Sequence, residues 1–181
     1  MAKITIRLLF PLLGAVAVLV GVAALGRWAR ESLRQDYTLP FAGIECLPPP
    51  SAEQVNLLAE VQYLAGMPDR VRLLDDDLAE RLRQAFVRHA WVESVEEVQV
   101  AALRIVVRLR YRRPVLAVPV DGELRAVDGS GILLPATAKT SGLPIYPGVA
   151  PSPAGPAGTP WGDSNVEQQA RKAAGAQNRN R

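Results

Sequence analysis

Residues Leu103–Val118 read LRIVVRLRYRRPVLAV. Leu103, Ile105, Val107, Leu109 and Tyr111 fall on alternate positions, the period of a β-strand with one buried face. Arg104, Arg108, Arg110 and Arg112 lie between them, so the opposite face carries charge. Arg113-Pro114 closes the strand, because proline has no N–H to give to a ladder. A further short apolar strand, Val115–Val120, follows. The apolar set would face a helical layer, and the arginines would cover the open side of a small sheet. Two readings of the arginines stay open. One is a solvated face that protects a sheet edge. The other is a docking surface for an acidic partner segment or anionic lipid headgroups.

The residues before this strand supply its neighbours. His89–Val100, HAWVESVEEVQV, carries Val92, Val95, Val98 and Val100 and is separated from Leu103 only by Ala101-Ala102, which predicts an antiparallel hairpin. Glu93, Glu96 and Glu97 would then stand opposite the arginines as cross-strand ion pairs. Two helices are expected upstream. Ser51–Leu64 opens on a Ser51/Gln54 capping box and shows Val55, Leu58, Val61 and Ala65 on one face, ending at Gly66 and Pro68. Leu74–Arg88 starts at Asp75-Asp76-Asp77, where carboxylates meet the positive end of the helix dipole, with Asp77 and Glu80 as its cap. Leu78, Leu82, Ala85, Phe86 and His89 form its apolar side. Thr38–Leu47 reads as a first strand, stopped by Pro48-Pro49-Pro50.

The N-terminus is of another kind. Leu8–Gly26, LLFPLLGAVAVLVGVAALG, is uncharged. At a rise of about 1.5 Å per residue it just reaches across a hydrocarbon core of about 30 Å. Trp28 lies where an interfacial aromatic belongs. The expected organisation is a short cytoplasmic segment 1–7, a transmembrane helix 8–28 in contact with lipid through Leu8–Trp28, and a juxtamembrane segment 29–37. The alternative is a secretory signal cleaved near Gly21-Val22-Ala23. Both readings export the rest of the chain.

Composition narrows the function classes. The chain has 181 residues, a net charge of +3 and 6% aromatic residues. Clustered Lys/Arg with stacking aromatics is lacking, which argues against nucleic acid. The single cysteine, Cys46, forms no intramolecular disulfide and reads as apolar filler; the single histidine, His89, reads as a packed or capping side chain. No catalytic, cofactor-binding or metal-binding residues are assigned, no small-molecule substrate is expected, and no nucleophile or phosphate-binding motif is present.

After Val120, Asp121-Gly122 is a turn signal, Leu124–Val127 can pair back, Asp128-Gly129-Ser130-Gly131 is a second turn, and Ile132–Leu134 is a last short strand. Beyond Pro135 the pattern thins through SGLPIYPG, Ser141–Gly148. The stretch 149–181 reads as a Pro/Gly-rich linker and a disordered tail, with a weak helix at Asn165–Ala174.

The order of these elements, with the motifs HAWVESVEEV, RIVVRLRYRRPVLAV, GELRAVDGSGILLP and SGLPIYPG, resembles the FtsQ/DivIB family of bacterial cell-division proteins. The resemblance covers roughly Leu8–Gly148. It departs from the family at His89-Ala90, where His-Pro is usual, and at Tyr111–Pro114, where the family carries a glutamate. It implies an α+β fold: a single N-terminal transmembrane helix, a POTRA-like β-α-α-β-β domain over 38–113, and a truncated β extension over 114–148. It also implies a non-enzymatic inner-membrane scaffold with the N-terminus cytoplasmic and the C-terminal domain periplasmic. The implied partners are other division proteins, coiled-coil proteins of the FtsB/FtsL type. The expected contact residues are Arg104, Arg108, Arg110 and Arg112 on the strand face, and Val115 and Ala117 on an edge open to strand addition. Two further readings remain: a POTRA-type polypeptide-binding module of an outer-membrane assembly or secretion system, and an exported enzyme of unrecognised type.

Overall fold

A computed structural model describes residues 16–28 and 37–179. Residues 16–28 are helical (α1) with exposed apolar side chains, among them Val18, Leu19, Val22 and Leu25. Among the described residues no helix is long and apolar enough to cross a membrane. The rest of the expected span, the segment 1–7 and nearly all of 29–37 lie outside the described residues.

The remainder is α+β. The expected first strand is split into β1 (Thr38–Pro40) and β2 (Glu45–Leu47) by a 3-10 turn at Phe41–Gly43. Then follow α2 (Leu57–Ala65), β3 (Arg70–Arg72), α3 (Leu78–Val87), β4 (Val92–Ala101) and β5 (Arg104–Tyr111). The arginine-bearing strand β5 is central in a three-stranded sheet, β2-β5-β4, parallel to β2 and antiparallel to β4. β1 and β3 form a small separate antiparallel pair.

One face of this sheet packs on the helices. Ile105, Val107 and Leu109 are buried there with Leu57 and Val61 of α2 and Leu78, Leu82 and Phe86 of α3, and Phe86 stacks on Phe41 at 6.5 Å between ring centroids. Leu103 departs from the expected pattern: it sits in the hairpin turn and is 82% exposed. Tyr111 is only partly buried.

β4 explains its own spacing. Val92, Val95 and Val98 are three apart, which a period-two strand cannot keep on one face. Two register shifts, between Val92 and Ser94 and between Val95 and Glu97, absorb the extra residues. Such bulges bend a strand and re-aim its side chains. Here they return Val92 and Val95 to the core, with Val98 packed beside them, and set Glu93 and Glu96 off the ladder.

Helix starts also differ from expectation. The Ser51/Gln54 capping box forms, but on a 3-10 turn at Ala52–Gln54, and the α-helix begins only at Leu57. A 3-10 turn has three residues per turn rather than 3.6, so the helix face shifts phase: Leu57 and Val61 are buried, while Val55 is 79% exposed. α3 begins at Leu78, and Asp77 makes no side-chain cap; Asp75 and Asp77 instead lie 3.3 and 3.6 Å from Arg81. His89 is buried as expected. Its Nδ1 accepts the Trp91 N–H at 3.2 Å, which leaves Nε2–H to donate to Glu60 at 2.9 Å.

The C-terminal part is larger and more ordered than expected. β6 (Leu116–Val120) and β7 (Glu123–Val127) form a hairpin on an Asp121-Gly122 turn with φ of 51° and 82°, the double positive φ of a type I′ turn. Single bridges add Ile145 beside Ala117, Leu133 beside Val127 and Pro160 beside Ile132. The weak helix expected at Asn165–Ala174 forms, and it runs on as α4 (Ser164–Arg179) into the stretch expected to be disordered, laying Val166 and Ala170 on this sheet with Trp161. Trp161 is 1% exposed and donates its Nε1–H to the Pro151 carbonyl. The Pro/Gly stretch is therefore a wrapped segment that carries an aromatic plug into a second core. Gly131, at φ 80°, lets α4 approach: a Cβ there would lie 3.0 Å from the Glu167 Cα.

Candidate functional site

The two units meet at the end of β5. Arg112 leaves the open face and turns into the junction, where its Nη1 donates to Asp128 Oδ2 at 2.6 Å. The side chains of this pair are 17% and 6% exposed. Asp128 is fixed in turn, since its Oδ1 accepts the N–H groups of Ser130 and Ile132. This turn is the Asp-Gly-Ser-Gly stretch, and its aspartate works as a bracket between the two sheets.

The expected contact residues thus separate. Arg104, Arg108 and Arg110 stay exposed on the open face. Arg110 pairs with Glu96 at 2.7 Å and Arg108 with Glu97 at 3.6 Å, the cross-strand pairing expected from the alternation. Such exposed pairs contribute about 0–1 kcal/mol each. Arg112 belongs to the buried bracket instead. Val115 and Ala117, expected on an open edge, are buried at 5% and 0% exposure. The edge at Ala117 is occupied as well: its N–H donates to Pro144 O, and its carbonyl accepts the Tyr146 N–H. Ala117 therefore has no open edge for strand addition, and Val115 is buried in the second core with only a cleft beside it.

Beside the bracket lies a cleft of about 600 Å³. Leu109, Tyr111 and Val115 contribute its apolar side, Arg110, Arg112 and Arg113 one wall, and Glu93 and Glu96 the β4 rim. The far wall is the Gly129-Ser130 turn with Ala174, Gln177 and Asn178 of α4. The sequence predicts the turn and a weak helix at Asn165–Ala174, but not that the helix runs on to Arg179 and packs back to form this wall. Trp161 followed by Val166 and Ala170 one helical turn apart was the available signal.

On β2, beside β5 in the sheet, Cys46 is buried and burial pushes its thiol up to about 11. Burial, reinforced by the neighbouring Cys46, also raises the Tyr111 phenol, whose hydroxyl donates to Pro48 O at 3.1 Å. Both groups are neutral at physiological pH, and neither is an activated nucleophile. Among the described residues no group of three or more His, Cys, Asp or Glu side chains comes together that could hold a metal ion. Comparison with known protein families, with curated proteins and with solved structures finds no match for the chain.

Proposed function

We propose that the chain is a non-enzymatic, single-pass scaffold of the bacterial division machinery, of the FtsQ/DivIB type. Residues 8–28 cross the inner membrane once, and an exported POTRA-like unit presents the sheet to partners. One observation carries the reading: the succession β2-α2-α3-β4-β5, broken between the helices only by the short β3 that pairs with β1 outside the sheet, with both helices on one face of a mixed sheet ordered β2-β5-β4. It supports the β-α-α-β-β order that the sequence resemblance implies. The exposed arginines Arg104, Arg108 and Arg110, interleaved with glutamates, suit recognition of a charged partner segment, since rim charges set specificity and association rate more than affinity. Coiled-coil proteins of the FtsB/FtsL type are the proposed partners.

The test is where an N-terminal fluorescent fusion of the full chain sits in growing cells, beside an Arg108→Glu/Arg110→Glu variant. The scaffold reading expects enrichment at the division site, weakened in the variant. Even envelope staining that ignores the cell cycle sinks it and favours a polypeptide-binding secretion module.

A further inference from the structure

We infer that the cleft between β5 and α4 is a peptide-binding site, taking a short extended segment of a partner protein that carries an acidic residue at one end and a basic residue at the other. The inference deepens the scaffold reading by naming a contact point and the chemistry of its ligand.

Size and position come first. About 600 Å³ at the junction of two packed units lies within the usual range and place of ligand sites. The two bulges of β4 put Glu93 and Glu96 on its rim, and bulges beside a site re-aim side chains in this way.

Charge then defines the ligand. Within the lining, Arg110 is matched by Glu96 and Arg112 by Asp128. Among the described residues, Arg113 and Glu93 are left without an ion-pair partner, and both line the cleft. Arg112 is held on its other side by Asp128, so its positive charge stays fixed at the cleft wall. An incoming acidic side chain can therefore meet Arg113 beside that fixed charge without breaking an existing pair. A basic side chain farther along meets Glu93. Apolar side chains between them lie on Leu109, Tyr111 and Val115.

A random heptapeptide phage library, panned on the full chain in nanodiscs, tests the site. The expected result is enrichment of peptides with one acidic and one basic residue separated by apolar residues. Their binding should fall at least tenfold with Arg113→Glu and be unchanged with Arg72→Glu, an exposed arginine of β3 that lies outside the cleft. The double variant Glu93→Lys/Arg113→Glu should instead enrich peptides of opposite charge order. Arg113 and Glu93 are exposed, so these changes leave the fold intact, and a thermal melt of each variant checks it. No enrichment over empty nanodiscs, enriched peptides without an acidic residue, equal loss with Arg72→Glu, or full displacement by millimolar inorganic phosphate would each overturn the proposal. None of these readouts depends on septal localisation, so the peptide site and the division role fail separately.

Discussion

Asp128 shows how one side chain joins two sheets. It accepts two backbone N–H groups and one guanidinium while 5% exposed. Removing one partner of such a pair strands the other, which typically costs about 3–5 kcal/mol. Asp128→Ala is expected to lose about 3 kcal/mol in urea unfolding, and Asp128→Ala/Arg112→Met to recover much of it, because the second change removes the stranded charge. A double variant no more stable than the single one would refute this account. Cys46 gives a second expectation at this scale. Its thiol moves from 9.0 in the open chain to about 11 in the fold. Between these values the unfolded state binds fewer protons, so this contribution to stability falls as pH rises from 9 towards 11. Cys46→Ala should flatten the alkaline loss measured by denaturant unfolding between pH 8 and 11; an unchanged slope would exclude the thiol as its source.

At the level of elements, β4 and β5 obey different rules although they are paired. β5 runs without a bulge, so Ile105, Val107 and Leu109 enter the core without correction, although Val106 between them is buried as well. β4 carries valines three apart and needs two bulges to bury them. The turn between them frees Leu103 from the core. Leu103→Asp should therefore change stability by no more than about 0.5 kcal/mol, the ordinary surface range. Ile105→Asp, two positions on, should abolish the cooperative melt, because it places an unpaired carboxylate in a fully buried position. Circular dichroism melts of the two variants decide it, and equal effects would contradict the assigned turn.

At the scale of the whole molecule, the chain holds two cores rather than one core and a tail. The second is closed by Trp161, Val166 and Ala170 over β6 and β7. Trp161→Ala should cost about 3–5 kcal/mol, as truncation of a buried aromatic does, and it should expose apolar surface to a reporter dye. Gly131→Ala should also destabilise the C-terminal unit. It forces a positive φ on alanine and sets a Cβ 3.0 Å from the Glu167 backbone. Faster hydrogen exchange over 164–179 in that variant is the expected signature, and unchanged protection there would mean that α4 is held by other contacts.

The sequence by itself determined the α+β class, the helix–helix–hairpin order, the core side of β5 and the buried state of Cys46 and His89. These follow from local periodicity, capping chemistry and the scarcity of polar alternatives, all of which act over a few residues. Its reading of the arginines as paired with the glutamates of the preceding strand was also legible, because a tight hairpin determines which residues face each other. The fate of Arg112, Val115, Ala117 and the Pro/Gly-rich stretch, and the packing of the expected C-terminal helix, were decided only by tertiary structure. Arg112 follows the same alternation as Arg110, yet a distant aspartate pulls it inward. Val115 and Ala117 look like an edge until Pro144–Tyr146 pairs beside them. The Pro/Gly-rich stretch looks like a linker because its local composition disfavours regular structure. It orders because Trp161 has a hydrophobic sheet to cover, and long-range burial outweighs the backbone entropy that local composition reports.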